Sequence, residues 1–162
     1  MKYPVIETKR LILKELTLDN EKNVEKHFSD PVISRFVEIG KHETAADIIR
    51  FHLWDSGCRW GLIKKSNKEF IGTCGFHGWN IESNTAEVGY DLAKKYWGKG
   101  YMKEALDAII AFGFCTMELN SITAIINENN LNSIKFILKM NFIRSEKINN
   151  EHDYKYVLTK VL

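Results

Sequence analysis

The sequence contains few of the residues that would place it in a specialised class of protein. It has three cysteines among 162 residues, and because none of them forms a CxxC pair, neither a metal knuckle nor a disulfide framework is expected. Cys58, Cys74 and Cys115 are predicted to be buried free thiols of a protein in a reducing compartment. Only two prolines occur, and no stretch rich in Pro, Gly or Ser indicates a linker.

Neither charge nor hydrophobicity is concentrated along the chain. The formal net charge is +2, which is too mild to indicate a nucleic-acid-binding face. No stretch approaches the roughly 18 apolar residues of a transmembrane helix. The N-terminus, "MKYPVIETKRLILKEL", lacks the apolar core of a signal peptide. We therefore expect a cytoplasmic protein that binds neither membrane nor nucleic acid directly.

Hydrophobic residues, at 44% of the chain, are sufficient for a single domain with a core, spanning residues 1–162. The period of the apolar residues changes several times between two and 3.6. Strands are predicted at 10–16, 58–65, 70–80, 84–92, 121–127, 142–148 and 154–161. Helices are predicted at 17–30, 43–57, 100–114 and 130–141. This order favours a mixed α/β or α+β domain built on one sheet.

The stretch "KKYWGKGYMKEA" (94–105) places two glycines between a strand and an amphipathic helix. A dinucleotide-binding GxGxxG motif would need a third glycine where Lys103 stands, and a P-loop would need Ser or Thr where Gly100 stands. Two interpretations remain open. The glycines could let an anion approach backbone N–H groups at the start of the helix, or they could serve the geometry of the turn alone.

The same stretch resembles motif A of the GCN5-related N-acetyltransferases (GNAT), Gln/Arg-x-x-Gly-x-Gly/Ala. Gly98 and Gly100 match, while Lys95 replaces Gln/Arg. The longer segment "NTAEVGYDLAKKYWGKGYMKEA" is similar to the strand, turn and helix of the branch that includes the ribosomal-protein alanine N-acetyltransferases. "ETKRLILKELTLDN" is similar to the first strand and helix of that branch.

A third segment, "NENNLNSIKFILKMNF", resembles the N-x-x-S…K-x-G-F pattern of the same branch. Asn130, Ser133, Lys139 and Phe142 match, and Asn141 stands where glycine is usual. The resemblance covers nearly the whole chain. It implies the GNAT fold, in which helices flank one mixed, mainly antiparallel sheet of about seven strands that splays between the fourth and fifth strands.

The resemblance also implies an enzyme that transfers acetyl from acetyl-CoA to an amine by direct attack, with no metal. Backbone N–H groups of the 97–102 turn are expected to hold the pyrophosphate, and the N–H of Leu92 to polarise the thioester carbonyl. The residues expected to bind acetyl-CoA are Tyr90, Asp91, Leu92, Lys95, Trp97, Gly98, Lys99, Gly100, Tyr101, Met102 and Asn130.

Three side chains are candidates for catalysis. Glu87 or His77 would act as the base, although they could equally be an ordinary strand carboxylate and a surface or turn histidine. Many GNAT enzymes use a tyrosine as acid seven residues beyond the motif asparagine, where this chain has Ile137. Ser133 would replace it, unless it only satisfies backbone groups in the first turn of a helix. Asn130 could likewise be an N-cap.

The acceptor is expected to be a protein or peptide N-terminal amine, possessed for example by a ribosomal protein. An α-amine has a pKa of about 7.7–8.0, so a weak base suffices. The alternatives are a small-molecule amine and a CoA-binding regulatory module without catalysis. A monomer and a homodimer both remain open. The first two helices and the 76–82 loop should form the acceptor cleft, with walls or core built from Trp54, Trp60, Phe76 and Trp79.

Overall fold

The computed structural model describes residues 3–36, 44–54, 57–148 and 152–160. Its strands form one eight-stranded sheet in the order β1-β2-β3-β4-β5-β6-β8-β7. The strands are β1 (Ile6–Glu7), β2 (Leu11–Glu15), β3 (Cys58–Lys64), β4 (Phe70–Asn80), β5 (Thr85–Leu92), β6 (Ser121–Asn127), β7 (Ile143–Lys147) and β8 (Asp153–Thr159). The helices are α1 (Glu21–Phe28), α2 (Pro31–Ser34), α3 (Ala45–Trp54), α4 (Tyr101–Cys115) and α5 (Leu131–Lys139).

The predicted mixed α/β sheet is confirmed, and its splay lies between β5 and β6. These two strands are parallel, as the connection through α4 requires, and they pair only where 85–87 meets 121–123. All other neighbours are antiparallel. The eighth strand is β1, whose two residues are too few to show an alternating pattern in the sequence.

The predicted helix at 17–30 begins later than expected, and another short helix follows it. A 3-10 turn covers Leu18–Asn20 before α1. The Asp30 carboxylate accepts a hydrogen bond of 2.9 Å from the N–H of Val32, and Pro31 is the first residue of α2. An N-cap followed by proline is a typical helix start, so Pro31 ends one helix and opens the next.

Side chains of the sheet alternate between two apolar layers. On β3, Trp60 and Leu62 belong to the main core, whereas a Cβ at Gly61 would meet Leu16 and Phe70, which belong to the smaller cluster beneath α1 and α3. Gly113 of α4 lies against Phe76 in the main core. The sheet is therefore covered by helices on both faces.

This packing decides several expectations about individual side chains and corrects one of them, the burial of Cys115. Trp60 and Phe76 are fully buried in the main core and form no wall of a cleft, because they point to the face covered by α4. Trp79 is half-buried and packs against that core, while the Trp54 side chain lies outside the described residues. Cys115 is exposed rather than buried, since it ends α4 on the outer side of the helix.

The described helices include none that is long and apolar enough to cross a membrane.

Candidate active site

The turn before α4 has the backbone geometry of an anion-binding loop. Gly98 and Gly100 both adopt left-handed conformations, with φ of +70° and +78°, which favour glycine. A Cβ at Gly98 would meet nothing within 4 Å, so a ligand can approach the backbone there. The first N–H groups of α4 have no partner within the helix, and the positive end of the helix dipole adds to their attraction for an anion.

A buttress behind the turn was not foreseen from the sequence. Glu104 of α4 accepts hydrogen bonds from the Arg10 side chain (2.7 Å), the Arg10 N–H (2.6 Å) and the Thr8 hydroxyl (2.6 Å). Arg10 also donates to the carbonyl of Lys99 at 2.9 Å. Burial raises the pKa of Glu104, but these hydrogen bonds outweigh it and lower the pKa below its ordinary value. The buttress fixes the start of α4 against β2.

Lys95, at the Gln/Arg position of the motif, braces the same turn from its other side. Its ammonium group pairs with Glu69, which also accepts a hydrogen bond from the hydroxyl of Tyr96. The hydrogen bonds from Lys95 and Tyr96 lower the pKa of Glu69 to about 2. The Trp97 indole N–H donates to the carbonyl of Leu92 at 2.6 Å. These contacts tie the turn to the end of β5.

A cavity of about 600 Å³ lies between this turn, the end of β5 and α5. Lys103, Lys135 and Lys139 contribute positive charge to its lining, whereas the side chains of Lys95 and Lys99 lie outside the lining. An anionic cofactor suits such a cleft. The predicted acetyl-CoA residues that line it are Tyr90, Asp91, Leu92, Trp97, Gly98, Gly100, Tyr101, Met102 and Asn130.

The splay leaves backbone donors of β5 open to this cavity. The N–H of Ala93 donates to the carbonyl of Ile71 on β4 at 2.9 Å. Because peptide groups alternate along a strand, those of Tyr90 and Leu92 face the opposite side, beyond the point where pairing with β6 ends at Glu87. Either N–H is free of β6 and available to a thioester carbonyl, and the role expected for Leu92 stays a prediction.

Two hydroxyl groups meet at the inner end of the cavity. The Tyr90 and Ser133 oxygens are 2.7 Å apart, and the Tyr90 ring packs edge-to-face on Phe136. Burial raises the pKa of Tyr90 above its ordinary value. Asn130 caps α5, since its side-chain oxygen accepts from the N–H of Ser133 at 3.2 Å. The Ser133 hydroxyl is thus not the cap, and Ile137 is fully buried.

The two candidate bases are a cross-strand pair. His77 on β4 lies opposite Glu87 on β5, with 3.1 Å between His77 Nε2 and Glu87 Oε1 and with both side chains 25% exposed. They line a second cavity of about 780 Å³. Phe36 and Phe51, two partly exposed aromatic residues, form part of its wall. Neither residue is among the aromatic residues that the sequence offered as candidates for this wall.

The two cavities adjoin each other, because both are lined by Phe36, Tyr90, Asn130 and Ser133. The hydroxyl pair therefore lies at the junction, while Glu87 and His77 lie in the second cavity only. A thioester extending along β5 would reach an amine in the second cavity at this point. The arrangement suits transfer of a group between two ligands bound at once.

Comparison with known proteins agrees with this arrangement. The model of the acetyltransferase (GNAT) domain matches residues 10–143. The chain belongs to the GNAT family of acetyltransferases. The GNAT chain is similar to the uncharacterized N-acetyltransferase p20 of Bacillus licheniformis, with 34% identity over 142 residues that cover 83% of this chain and 80% of the relative. This chain is therefore an N-acetyltransferase, and enzymes of this fold use acetyl-CoA.

Two solved structures share its GNAT fold at low sequence identity. The ribosomal-protein-S5-alanine acetyltransferase of Vibrio fischeri has a TM-score of 0.79 and 16% identity, with 97% of each chain covered. The spermidine N-acetyltransferase of Vibrio cholerae, in complex with CoA and spermine, has a TM-score of 0.78 and 15% identity, covering 93% of this chain and 95% of its own.

A buried ionic cluster holds the side chain of one predicted acetyl-CoA residue in this GNAT domain. The Asp91 carboxylate accepts from Arg59 Nη2 (2.7 Å) and the Thr73 N–H (3.0 Å), and lies 2.6 Å from His27 Nε2. Burial raises the pKa of Asp91, but the hydrogen bond from His27 and the charge of Arg59 hold it at about 2. The only sign of this cluster in the sequence is Arg59, a charged residue between two apolar residues in "CRW".

Two of the three cysteines, Cys58 and Cys74, are poorly suited to covalent catalysis in the acetyltransferase. Burial raises the pKa of both Cys58 and Cys74 to about 12, so their thiols stay protonated and are poor nucleophiles at neutral pH. Within residues 3–36, 44–54, 57–148 and 152–160, no cluster of three or more His, Cys, Asp or Glu side chains could hold a metal ion.

Proposed function

We propose that this acetyltransferase moves acetyl from acetyl-CoA to the N-terminal α-amine of a protein or peptide, as in the ribosomal-protein alanine branch. The observation that carries the proposal is the junction of the two cavities. A hydroxyl pair, Tyr90 and Ser133, lies at that junction, and a carboxylate–imidazole pair, Glu87 and His77, lies in the second cavity. An acid and a base are thus available to opposite sides of one thioester.

In the proposed mechanism the first cavity holds the cofactor. Backbone N–H groups of the 97–102 turn bind the pyrophosphate, and glycine at positions 98 and 100 leaves room for its oxygens. The N–H of Leu92 or Tyr90 binds the carbonyl oxygen of the thioester, where negative charge develops in the transition state. Removing one such donor in other enzymes costs about 10²–10³ in rate.

The amine nitrogen attacks the thioester carbon, and the C–S bond then breaks. The proton lost by the amine passes to Glu87, directly or through His77, and from there to solvent. The leaving thiolate accepts a hydrogen bond from Ser133, which Tyr90 supports through their contact, and it takes up its proton from solvent. The acetylated amine and CoA are the only products, so no step requires an acetylated enzyme.

The acceptor cavity favours a single α-amine over a polycation. Its lining carries Arg35, Arg59 and His77 as well as Glu87 and Asp153, so acidic groups do not dominate its charge. A polyamine would bring several positive charges into a cavity that already contains basic side chains, which would repel it. The fold shared with a ribosomal-protein-alanine acetyltransferase supports the same choice, while the fold shared with a spermidine acetyltransferase makes spermidine the necessary comparison.

The test measures release of free thiol from acetyl-CoA with peptides that begin with Ala, Ser or Met and, separately, with spermidine. Each peptide also contains an internal lysine, and its N-acetylated form serves as the control. We expect acetylation at the α-amine, located by mass spectrometry, with kcat/KM at least about tenfold above that for spermidine, or 1.4 kcal/mol. Faster reaction of spermidine would contradict the proposal, and tight CoA binding without turnover would indicate a regulatory module.

A further inference from the structure

Arg59 lies on the floor of the acceptor cavity with only part of its guanidinium in use. Its Nε donates to the Thr73 hydroxyl and its Nη2 to the Asp91 carboxylate, both at 2.7 Å. In the described part of the chain, Nη1 has no hydrogen-bond partner. The residue is 9% exposed and lines the cavity. Two nitrogens therefore anchor the side chain, while the third keeps its donors available.

A glycine on β5 makes room for this free nitrogen. A Cβ at Gly89 would lie 2.6 Å from Arg59 Nη1 and 3.2 Å from His77 Cε1. The guanidinium and the imidazole therefore lie side by side above Gly89. His77 in turn pairs with Glu87 across the two strands. The free donor is thus beside the groups expected to handle the amine.

Arg59 is nearly buried but keeps some contact with solvent, so water in the cavity can satisfy Nη1 until a ligand replaces that water. The contacts to Thr73 and Asp91 account for the fixed position of the Arg59 side chain but leave Nη1 unexplained. Since Nη1 faces a cavity that receives the acceptor, an oxygen of the acceptor is the partner that this position suits. The two anchoring contacts also mean that little side-chain freedom would be lost on binding.

We propose that Arg59 Nη1 donates a hydrogen bond to the carbonyl oxygen next to the acceptor amine, which makes Arg59 a specificity-determining residue. This inference rests on the proposed function, in which the acceptor is a peptide N-terminus. The first residue of a peptide carries its amine and its carbonyl on one Cα, so the amine can face His77 and Glu87 while the oxygen faces Arg59. A polyamine has no such oxygen.

The test combines two acceptors with two variants. L-alaninamide carries the carbonyl, and (S)-sec-butylamine is its counterpart without it. Rates are expressed per neutral amine, for which sec-butylamine is intrinsically the better nucleophile. We expect the wild type to prefer alaninamide by about 10- to 100-fold in kcat/KM, the range of a hydrogen bond to a charged group.

Arg59→Lys keeps a positive charge beside Asp91 but lacks the second arm of the guanidinium. We expect its preference to fall to within about threefold of unity, with the KM for acetyl-CoA unchanged. Arg35→Lys is the matched control, because Arg35 lines the same cavity but is exposed, and it should retain the full preference. Differences in amine basicity cancel when variant and wild type are compared.

An equal preference in Arg59→Lys and the wild type would overturn the inference. If Arg59→Lys does not fold, the wild-type ratio decides alone, and a ratio near unity overturns the inference while leaving the proposed function intact. Acetylation of spermidine with both α-amines inert would overturn the two together. Free L-alanine is the last arm: a rate above that of alaninamide would support the oxygen contact but indicate a free amino acid instead of a peptide.

Discussion

The contact between Tyr90 and Ser133 separates two roles that the sequence left open for the serine. Its N–H is capped by Asn130, and its hydroxyl meets Tyr90. We expect Ser133→Ala to lower kcat by about 10²-fold, the lower end of general-acid effects, with little change in the KM for acetyl-CoA. Melting temperature and kcat measured on one preparation check this prediction.

Tyr90→Phe keeps the ring on Phe136 but removes the hydroxyl that supports Ser133. It should lower kcat by up to about tenfold, as loss of one hydrogen bond predicts. Ser145→Ala, on the exposed strand β7, is the control and should leave kcat unchanged. A normal kcat in Ser133→Ala, together with a lowered melting temperature, would give the serine a structural role only.

The Asp91 carboxylate should make the free energy of unfolding depend on pH in the acid range. Its pKa is about 2 in the folded protein and near 3.9 when unfolded, so the unfolded chain binds more protons between these values. The stabilisation is complete above about pH 4 and is lost as pH falls through about 2. Urea unfolding of the wild type from pH 7 to pH 2 should follow that course.

Asp91→Asn leaves the Arg59 charge buried without its partner. It should lower the free energy of unfolding at pH 7 by about 3–5 kcal/mol, and its difference from the wild type should shrink below about pH 4. Asp107→Asn removes an exposed carboxylate that pairs with Lys103, and it should change stability by less than about 0.5 kcal/mol. A difference for Asp91→Asn that stays constant down to pH 2 would contradict this account.

At the scale of elements, the backbone conformation of the turn before α4 depends on Gly98 and Gly100, both of which are left-handed. Gly98→Ala should weaken CoA binding by at least about tenfold, since the new methyl group would occupy space left for the ligand, and titration calorimetry measures this. Gly78 on β4 is a matched control, because it also has a positive φ and open space around it but lies outside the lining of the CoA cavity.

Both alanine variants should lose similar stability, about 1–2 kcal/mol, because each forces a Cβ into the left-handed region. Only Gly98→Ala should lose affinity for CoA. Equal CoA affinity in the two variants would mean that the glycines serve the geometry of the turn alone, which was the alternative interpretation of the sequence.

Across the whole molecule, the sequence predicted those features that depend on short stretches of neighbouring residues. Alternation and helical spacing indicated the seven longer strands and the four longer helices but not the short α2, and three motifs indicated the family. Asn141, which stands where glycine is usual, still adopts the left-handed φ of +64° that commonly ends a helix.

Contacts between distant segments could not be predicted from such patterns. Glu104 meets Thr8 and Arg10 across more than ninety positions of sequence, and no local signal marks that partnership. Arg59 and Asp91 approach each other only because β3, β4 and β5 are neighbours. The same limit explains Trp60, since a large aromatic residue suits a core and a cleft equally until the strand's two faces are assigned.

The short pairing between β5 and β6, called the seam below, is a place where the sheet can open. Among the described residues of the sheet, only three residue pairs join strands β1–β5 to β6, β8 and β7. The CoA cavity takes residues from β5 and α4 on one side of the seam and from α5 on the other, and none from β6 or β8. Bound CoA should therefore slow amide hydrogen exchange in β6 and β8, strands that it does not touch. The cofactor would then hold together the two parts of the sheet on either side of the β5–β6 pairing.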